Sequence, residues 1–218
     1  MCCMKIKLIL LVIIFFPKTH SWSQTSMEAK NLLEKASKQL ELYDSFKLEF
    51  SYNLNNRMEK INQESKGNVV VSGEKYKLDF LGAIQLFDEK NIYTIIPENE
   101  EITIIKSNDQ EEEDFVFNPT KILNIYKKGY DYYWDILQNV KGRSIQFVKL
   151  IPTTEDSDVK SILVGIETIT NHIYKIIEVG LNGTITTLTI KNIDVNIVLP
   201  LNFFVFESSD YPNYFIIE

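Results

Sequence analysis

The chain has 218 residues, a hydrophobic fraction of 44%, and 23 Lys and Arg against 30 Asp and Glu, for a net charge of −7. An acidic balance of this kind argues against nucleic acid and against steady adhesion to anionic lipid, since both require basic patches. The length suits a single domain with an apolar core of its own.

The first residues are typical of an export signal. Two lysines precede an uninterrupted apolar run at residues 8–16, and the small residues Ser21 and Ser23 are spaced as signal peptidase requires. The run is much shorter than the roughly 20 residues that span a bilayer. The sequence therefore predicts a signal peptide over 1–23, cleaved after Ser23, and a single domain over 24–218.

Cysteine usage agrees with export. Cys2 and Cys3 precede the apolar run, whereas the acylated cysteine of a lipoprotein must follow it. The predicted mature chain of 195 residues has no cysteine, and its 20 basic and 30 acidic residues give a net charge of −10. Export without disulfides suits a Gram-negative periplasm and a fold that is stable on its core alone.

An amphipathic helix is the first predicted element. Thr25 and Glu28 have the spacing of a capping box, which places the helix start at Thr25. Apolar residues then follow at intervals of three and four, and Leu33 and Leu40 belong to this stripe. Such a helix must lie on another element.

From Phe46 onward the sequence alternates as β-strands do. Residues 46–54, FKLEFSYNL, place every second side chain, all of them apolar, on one face. Further strand patterns are GNVVV, KYKLDF, two strands joined by a turn at 97–100, SIQFVKLIP, VKSILVGIET, HIYKIIEV, TITTLTIKNI and NFFVFE. Asn182-Gly183 is a strong hairpin signal. Strands in succession without alternating helices predict an antiparallel meander.

One segment interrupts the strands. An acidic run at 111–114, interpreted as a solvated loop, is followed by Asn118 and Pro119, which are typical of a helix start. The short helix predicted there carries Leu123 and Tyr126 on its buried face. The next stretch, GYDYYWD, is interpreted as a strand that packs on both faces, with a ligand-facing aromatic patch as the alternative.

About nine or ten strands and two helices make a sheet too wide to stay flat. A strongly curved sheet with the helices across its concave side fits these proportions. Such a sheet can pack into a solid core or leave an apolar hollow, and the residue pattern alone leaves both interpretations open.

The order of these segments resembles the LolA family, the periplasmic carriers of outer-membrane lipoproteins, and most of all the branch found in flavobacteria. The likeness runs through SFKLEFSYNL, GNVVV, EKYKLDF, IQLFDEKNIYTIIPENEEITI, NPTKIL and NGTITTLTIKNIDVNIVLPLNFFVFE. It implies an α+β, mainly β fold, namely an unclosed, strongly curved antiparallel β-barrel whose concave face is covered by helices as a lid.

The resemblance also implies a function. A protein of this family binds the acyl chains of lipoproteins in an apolar cavity and transports them from the inner to the outer membrane. The partners expected are acylated lipoproteins, an inner-membrane release complex and an outer-membrane acceptor, with transient membrane proximity, no nucleic acid and no cofactor, and the protein is expected to be a monomer. The predicted cavity residues are Leu48, Phe50, Tyr52, Leu54, Tyr76, Leu78, Phe80, Tyr93 and Ile95, and the predicted lid residues are Leu33, Leu40, Leu123 and Tyr126.

The sequence departs from the family at one point. Well-studied enterobacterial members have an arginine that holds the lid shut, at the end of the strand that here reads GNVVVSGEKY. Ser72 and Gly73 stand at that stretch, and Lys75 and Lys77 lie beyond it. The role of the arginine is therefore not carried over to this chain.

The same residues bear on other functions. An enzyme is disfavoured because the predicted mature chain has one histidine, His172, which lies in a turn-like stretch, and no metal-ligand spacing. The alternatives that stay open are a carrier or sensor of another amphiphile, such as a glycolipid, and an envelope-stress interaction protein on the same fold.

Overall fold

The computed structural model describes residues 22–107 and 129–217, with side chains described from Thr25 onward. These ranges contain one α-helix, α1 (Trp22–Glu41), and twelve strands. The strands are β1 (Phe46–Asn56), β2 (Ile61–Ser72), β3 (Lys75–Phe80), β4 (Ala83–Phe87), β5 (Asn91–Ile96), β6 (Glu101–Lys106), β7 (Tyr130–Val140), β8 (Arg143–Pro152), β9 (Val159–Glu167), β10 (Ile173–Gly180), β11 (Ile185–Val195) and β12 (Phe215–Ile217). The predicted helix with Leu123 and Tyr126, and the acidic run at 111–114, lie outside the described residues.

All twelve strands belong to one sheet in the order β12-β6-β5-β4-β3-β2-β1-β11-β10-β9-β8-β7. Neighbouring strands are antiparallel, except that β12 pairs in parallel with β6. The sheet curls, and the strands at its two ends do not pair with each other. The predicted α+β, mainly β fold with an unclosed, curved sheet and a helical cover is therefore confirmed.

The helix is longer at its start than predicted. Because α1 already includes Trp22, Thr25 lies inside the helix, and its prediction as the cap is wrong. Nothing in the stretch before Thr25 breaks a helix, since Trp, Ser and Gln are all tolerated in helix interiors. No helix in the described ranges combines the length and the apolar character needed to cross a bilayer.

The predicted turns fix several strand boundaries. Asn182-Gly183 joins β10 to β11, and Gly183 has a φ of +81°, which glycine adopts without steric cost. Residues 57–60 form the β1–β2 turn, because β1 ends at Asn56 and β2 begins at Ile61. At the β4–β5 turn the Asp88 carboxylate accepts hydrogen bonds from the N–H groups of Lys90 and Asn91, at 2.9 and 2.7 Å.

Two strand interpretations are wrong. NFFVFE forms successive turns, in which the Phe203 N–H donates to the Pro200 carbonyl and the Val205 N–H to the Asn202 carbonyl, both at 3.0 Å. GYDYYWD does form a strand, β7, but it lies at one end of the sheet and does not pack on both faces. Trp134, for example, is 42% exposed.

Candidate functional site

Residues of β8, β9 and β10 form an apolar cluster beneath the helix, called here the helix cluster. Ala29, Leu33 and Ala36 of α1 pack on it, and their spacing of four and three places them on one helix face. The buried strand residues of the helix cluster are Val148, Leu150, Ile162, Val164, Ile166, Ile173 and Ile176. The face of the sheet that carries α1 is the concave face.

A second cluster lies on the same face, over β1, β2 and β3, and is called the aromatic cluster. Its buried members are Leu40 from α1 and Phe46, Phe50, Tyr52, Val69, Val71, Tyr76, Leu78 and Phe80 from the strands. The Phe80 ring centroid lies 5.4 Å from that of Phe50 and 5.2 Å from that of Tyr52. Tilted and edge-on contacts at these distances are favourable for aromatic pairs.

A glycine allows these rings to meet across three strands. Gly67 of β2 is the direct neighbour of Phe50 on one side and of Phe80 on the other. Because Gly67 has no side chain, the Phe50 ring extends over it toward Phe80.

One polar pair lies inside the aromatic cluster. The Tyr76 hydroxyl donates a hydrogen bond of 2.9 Å to Gln85 Oε1. Burial raises the pKa of Tyr76 to about 12, so that its hydroxyl remains a neutral donor at physiological pH. A hydroxyl with a partner can be buried among apolar groups at little cost.

The structure brings seven of the nine predicted cavity residues together. Phe50, Tyr52, Tyr76, Leu78 and Phe80 are members of the aromatic cluster, and Leu48 and Leu54 pack against it. Of the predicted lid residues, Leu40 contacts the aromatic cluster and Leu33 the helix cluster, while Leu123 and Tyr126 lie outside the described residues.

Tyr93 and Ile95 are placed on the opposite, outer face of the sheet. In the β4–β5 pair Ile92 is opposite Phe87, which contacts Tyr76, and Tyr93 is therefore on the other side. The Tyr93 ring stacks on Phe206 of the C-terminal segment, with 4.5 Å between centroids. An open groove of about 880 Å³ between this segment and β5–β6 has Tyr93 in its wall and faces away from α1.

The concave face also carries a carboxyl group that was not predicted. Glu178 follows Ile176 by two residues in β10 and is opposite Thr186 of β11, which places it on the helix side. Burial raises the pKa of Glu178, and burial together with the Glu178 charge raises the pKa of Tyr130. The alternation of HIYKIIEV contained this signal, since it places Ile176 and Glu178 on one face.

In the described ranges no three His, Cys, Asp or Glu side chains come together in a way that would hold a metal ion. His172 lies in the β9–β10 turn, as expected, but it is half-buried, and its Nε2 is 2.8 Å from the Tyr43 hydroxyl.

No protein-family model and no curated protein matches the sequence. Among solved structures, the chain is similar to an uncharacterized conserved protein from Thermus thermophilus, with 10% identity, a TM-score of 0.58, and coverage of 84% of this chain and 96% of that one. LprF from Mycobacterium bovis has 13% identity and a TM-score of 0.47, and covers 81% and 97%. A LolA superfamily protein from Nitrosomonas europaea has 13% identity and a TM-score of 0.42, and also covers 81% and 97%.

These similarities concern the fold. The likeness to the Thermus protein extends over nearly all of that chain.

Proposed function

We propose that this chain is a periplasmic carrier that holds the acyl chains of lipoproteins against its aromatic cluster and transports them from the inner to the outer membrane. The observation that carries the proposal is the aromatic cluster itself. It extends over three strands of the concave face. Among the described residues of α1, the buried member of this cluster is Leu40. Apolar side chains of this size suit acyl chains.

The cavity residues proposed are those that the structure brings together. They are Leu48, Phe50, Tyr52, Leu54, Tyr76, Leu78 and Phe80, with Leu33 and Leu40 in the helical cover. Tyr93 and Ile95 are not included, because they belong to the outer face.

The energetics require binding that is strong but reversible. A single acyl chain gives only marginal membrane binding, whereas several make diffusion through water negligible. Each methylene withheld from water is worth about 0.8 kcal/mol, so a preformed cavity matching several chains would not release them. In this chain the aromatic cluster is buried, and an acyl chain has to displace side chains that already contact each other. That cost lowers the affinity and permits release.

The proposal includes the setting of the transfer. The chain acts in the periplasm as domain 24–218 after removal of the signal peptide, receives lipoproteins from an inner-membrane release complex and delivers them to an outer-membrane acceptor. No catalytic step is part of it.

A pair of neighbouring substitutions tests the proposal. Leu54 is half-buried on the concave face of β1, and Ser51 is half-buried on the outer face of the same strand, opposite Lys66. We expect Leu54→Glu to lower the amount of a purified lipoprotein released from proteoliposomes into a soluble complex by about tenfold, because a charge beside an acyl chain is costly. Ser51→Glu gains a cross-strand ion partner and is expected to release as much as the unaltered protein.

Equal loss in both variants would assign the effect to folding and contradict the role of the concave face. An unaltered protein that releases no lipoprotein would overturn the proposal. Mass spectrometry of ligand copurified from the periplasm would then show whether the amphiphile is a glycolipid.

A further inference from the structure

Two neighbouring hairpin turns carry exposed apolar side chains. The two turns and the adjoining strand ends are together called the hairpin tip. Met58 in the β1–β2 turn is 82% exposed and Leu181 in the β10–β11 turn is 64% exposed. Ile61 and Ile185, at the adjoining strand ends, are 44% and 39% exposed. Exposed apolar residues are ordinary when scattered, but a group of four at one end of a sheet suggests a contact surface.

The sheet order brings the two turns together. Strand β1 pairs with β2 on one side and with β11 on the other, so both turns lie at the same end of β1. The Asn56 side-chain amide donates a hydrogen bond of 2.8 Å to the Thr184 hydroxyl, which links the two hairpins directly. Met58 Sδ lies 4.0 Å from the position that a Cβ on Gly183 would occupy.

Hydrogen bonds fix the shape of both turns. Asn56 is 4% exposed, and its Oδ1 accepts hydrogen bonds from the N–H groups of Met58 and Glu59, at 3.0 and 3.1 Å. In the other turn Asn182 Oδ1 accepts from the Thr184 N–H at 3.0 Å. The turns therefore hold Met58 and Leu181 in water instead of allowing them to fold back onto the sheet.

The charges around the hairpin tip favour one kind of partner. The exposed turn around Met58 carries two basic residues, Arg57 and Lys60, and one acidic residue, Glu59, and is therefore net positive although the chain as a whole is acidic. On the other side the acidic loop 153–158 borders Leu181, whose N–H donates to the Asp158 carbonyl at 2.8 Å. Apolar side chains beside cations suit the headgroup boundary of a bilayer. The acidic loop disfavours a flat approach to phosphates, and the contact is therefore made tip first.

The hairpin tip is continuous with the concave face. Ile61 has the same alternation in β2 as Val69 and Val71, which belong to the aromatic cluster. Leu54 and Tyr52 of β1 follow inward from the tip on that face. An acyl chain that leaves a bilayer at the tip thus meets apolar side chains along β1.

We propose that the hairpin tip docks this protein on the surface of a lipid bilayer, with Met58 and Leu181 inserted at the headgroup boundary. The purpose of this docking rests on the proposed carrier function. The docking itself is independent of that function, because contact with vesicles is measurable without any cargo.

Sedimentation of the purified protein with phosphatidylcholine vesicles tests the docking. We expect Met58→Asp and Leu181→Asp each to lower the vesicle-bound fraction relative to free protein by about tenfold, because a carboxylate replaces an inserted apolar side chain. Met58→Leu is expected to bind as the unaltered protein does. The matched control is Ile169→Asp, since Ile169 is 82% exposed in the turn at the other end of β10 and should not matter.

A soluble fluorescent acyl probe separates the two proposals. Unaltered protein that binds the probe but no vesicles would overturn the docking and leave the carrier function standing. Unaltered protein that binds vesicles but not the probe would overturn the carrier function and leave the docking standing. Equal vesicle loss in all three aspartate variants would also overturn the docking, because it would reflect added charge alone. Loss confined to the two tip variants, with probe binding retained, supports it.

Discussion

Glycine opposite phenylalanine recurs on both faces of the sheet. Phe50 covers Gly67 on the concave face, and Phe147 covers its direct neighbour Gly165 on the outer face. Phe147 is 4% exposed although it points away from α1, because its ring lies against the strand where Gly165 has no side chain. Gly165 thus allows the Phe147 ring to lie against the sheet, and Gly67 allows the inward rings of Phe50 and Phe80 to come into contact.

Gly67→Ala is expected to lower the free energy of unfolding by about 1–3 kcal/mol, as overpacking does. The added Cβ would lie 2.5 Å from Cζ of Phe50 and 2.9 Å from the carbonyl oxygen of Asp79. The ring can move only by giving up its contact with Phe80, and the backbone oxygen is held in the sheet. Urea denaturation measures the effect. Ser65→Ala, on the same strand and face, should change stability by less than about 0.5 kcal/mol, and equal values for both variants would contradict this packing.

The C-terminal segment shows how alternation can mislead. Its sequence NFFVFE has the aromatic spacing of a strand, yet its turns place the rings on the outer face of the sheet. Phe206 stacks on Tyr93 and, at 5.6 Å, on Tyr211, while the Lys77 ammonium lies 5.5 Å from the centre of the Phe203 ring. Ring stacking therefore attaches this segment to the sheet where strand pairing was predicted. The segment covers apolar residues on the face opposite α1.

Phe206→Ala is expected to lower the free energy of unfolding by about 2 kcal/mol, because two stacked contacts and part of the cover of Tyr93 are lost. Binding of an acyl probe should not change, since this segment lies on the face opposite the aromatic cluster. Thermal unfolding and probe fluorescence measure the two effects. Phe215→Ala is the control, because Phe215 is 70% exposed and should contribute less than about 0.5 kcal/mol. Loss of probe binding in Phe206→Ala would contradict the separation of the two faces.

Local signals predicted most strands and hairpins, whereas long-range placement required the structure. Alternation identified β1, and Asn182-Gly183 identified the β10–β11 hairpin, because both effects act between near neighbours. The pairing of Phe46 with Val195 joins distant parts of the chain and has no local signal. The prediction of Tyr93 as a residue of the concave face is wrong for a related reason. A shift of one residue in the pairing across a turn moves every side chain of the next strand to the opposite face of the sheet.

A chain of hydrogen bonds ties the end of α1 to the far turn of the sheet. Gln39 Nε2 donates to the Tyr43 hydroxyl at 2.8 Å, and the same hydroxyl lies at hydrogen-bonding distance, also 2.8 Å, from His172 Nε2. The neutral imidazole can accept the Tyr43 proton at Nε2, whereas the charged ring can only donate. Burial lowers the pKa of His172, and the charge of nearby Glu167 acts in the opposite direction. Burial of His172 thus favours the uncharged ring.

Because burial lowers the pKa of His172, we expect stability to fall as the pH drops below about 6.5, where His172 titrates in the unfolded chain. Between that value and the lower pKa of the folded state, the unfolded chain binds more protons, and acid therefore favours unfolding. His172→Gln keeps a hydrogen-bonding group beside Tyr43 but does not titrate, and should remove this part of the pH dependence. Urea denaturation of both proteins from about pH 7.5 to about pH 5 measures the difference. Glu178, whose pKa burial raises, titrates in both proteins and cancels. Parallel stability curves would show that the link between α1 and the β9–β10 turn does not depend on a neutral His172.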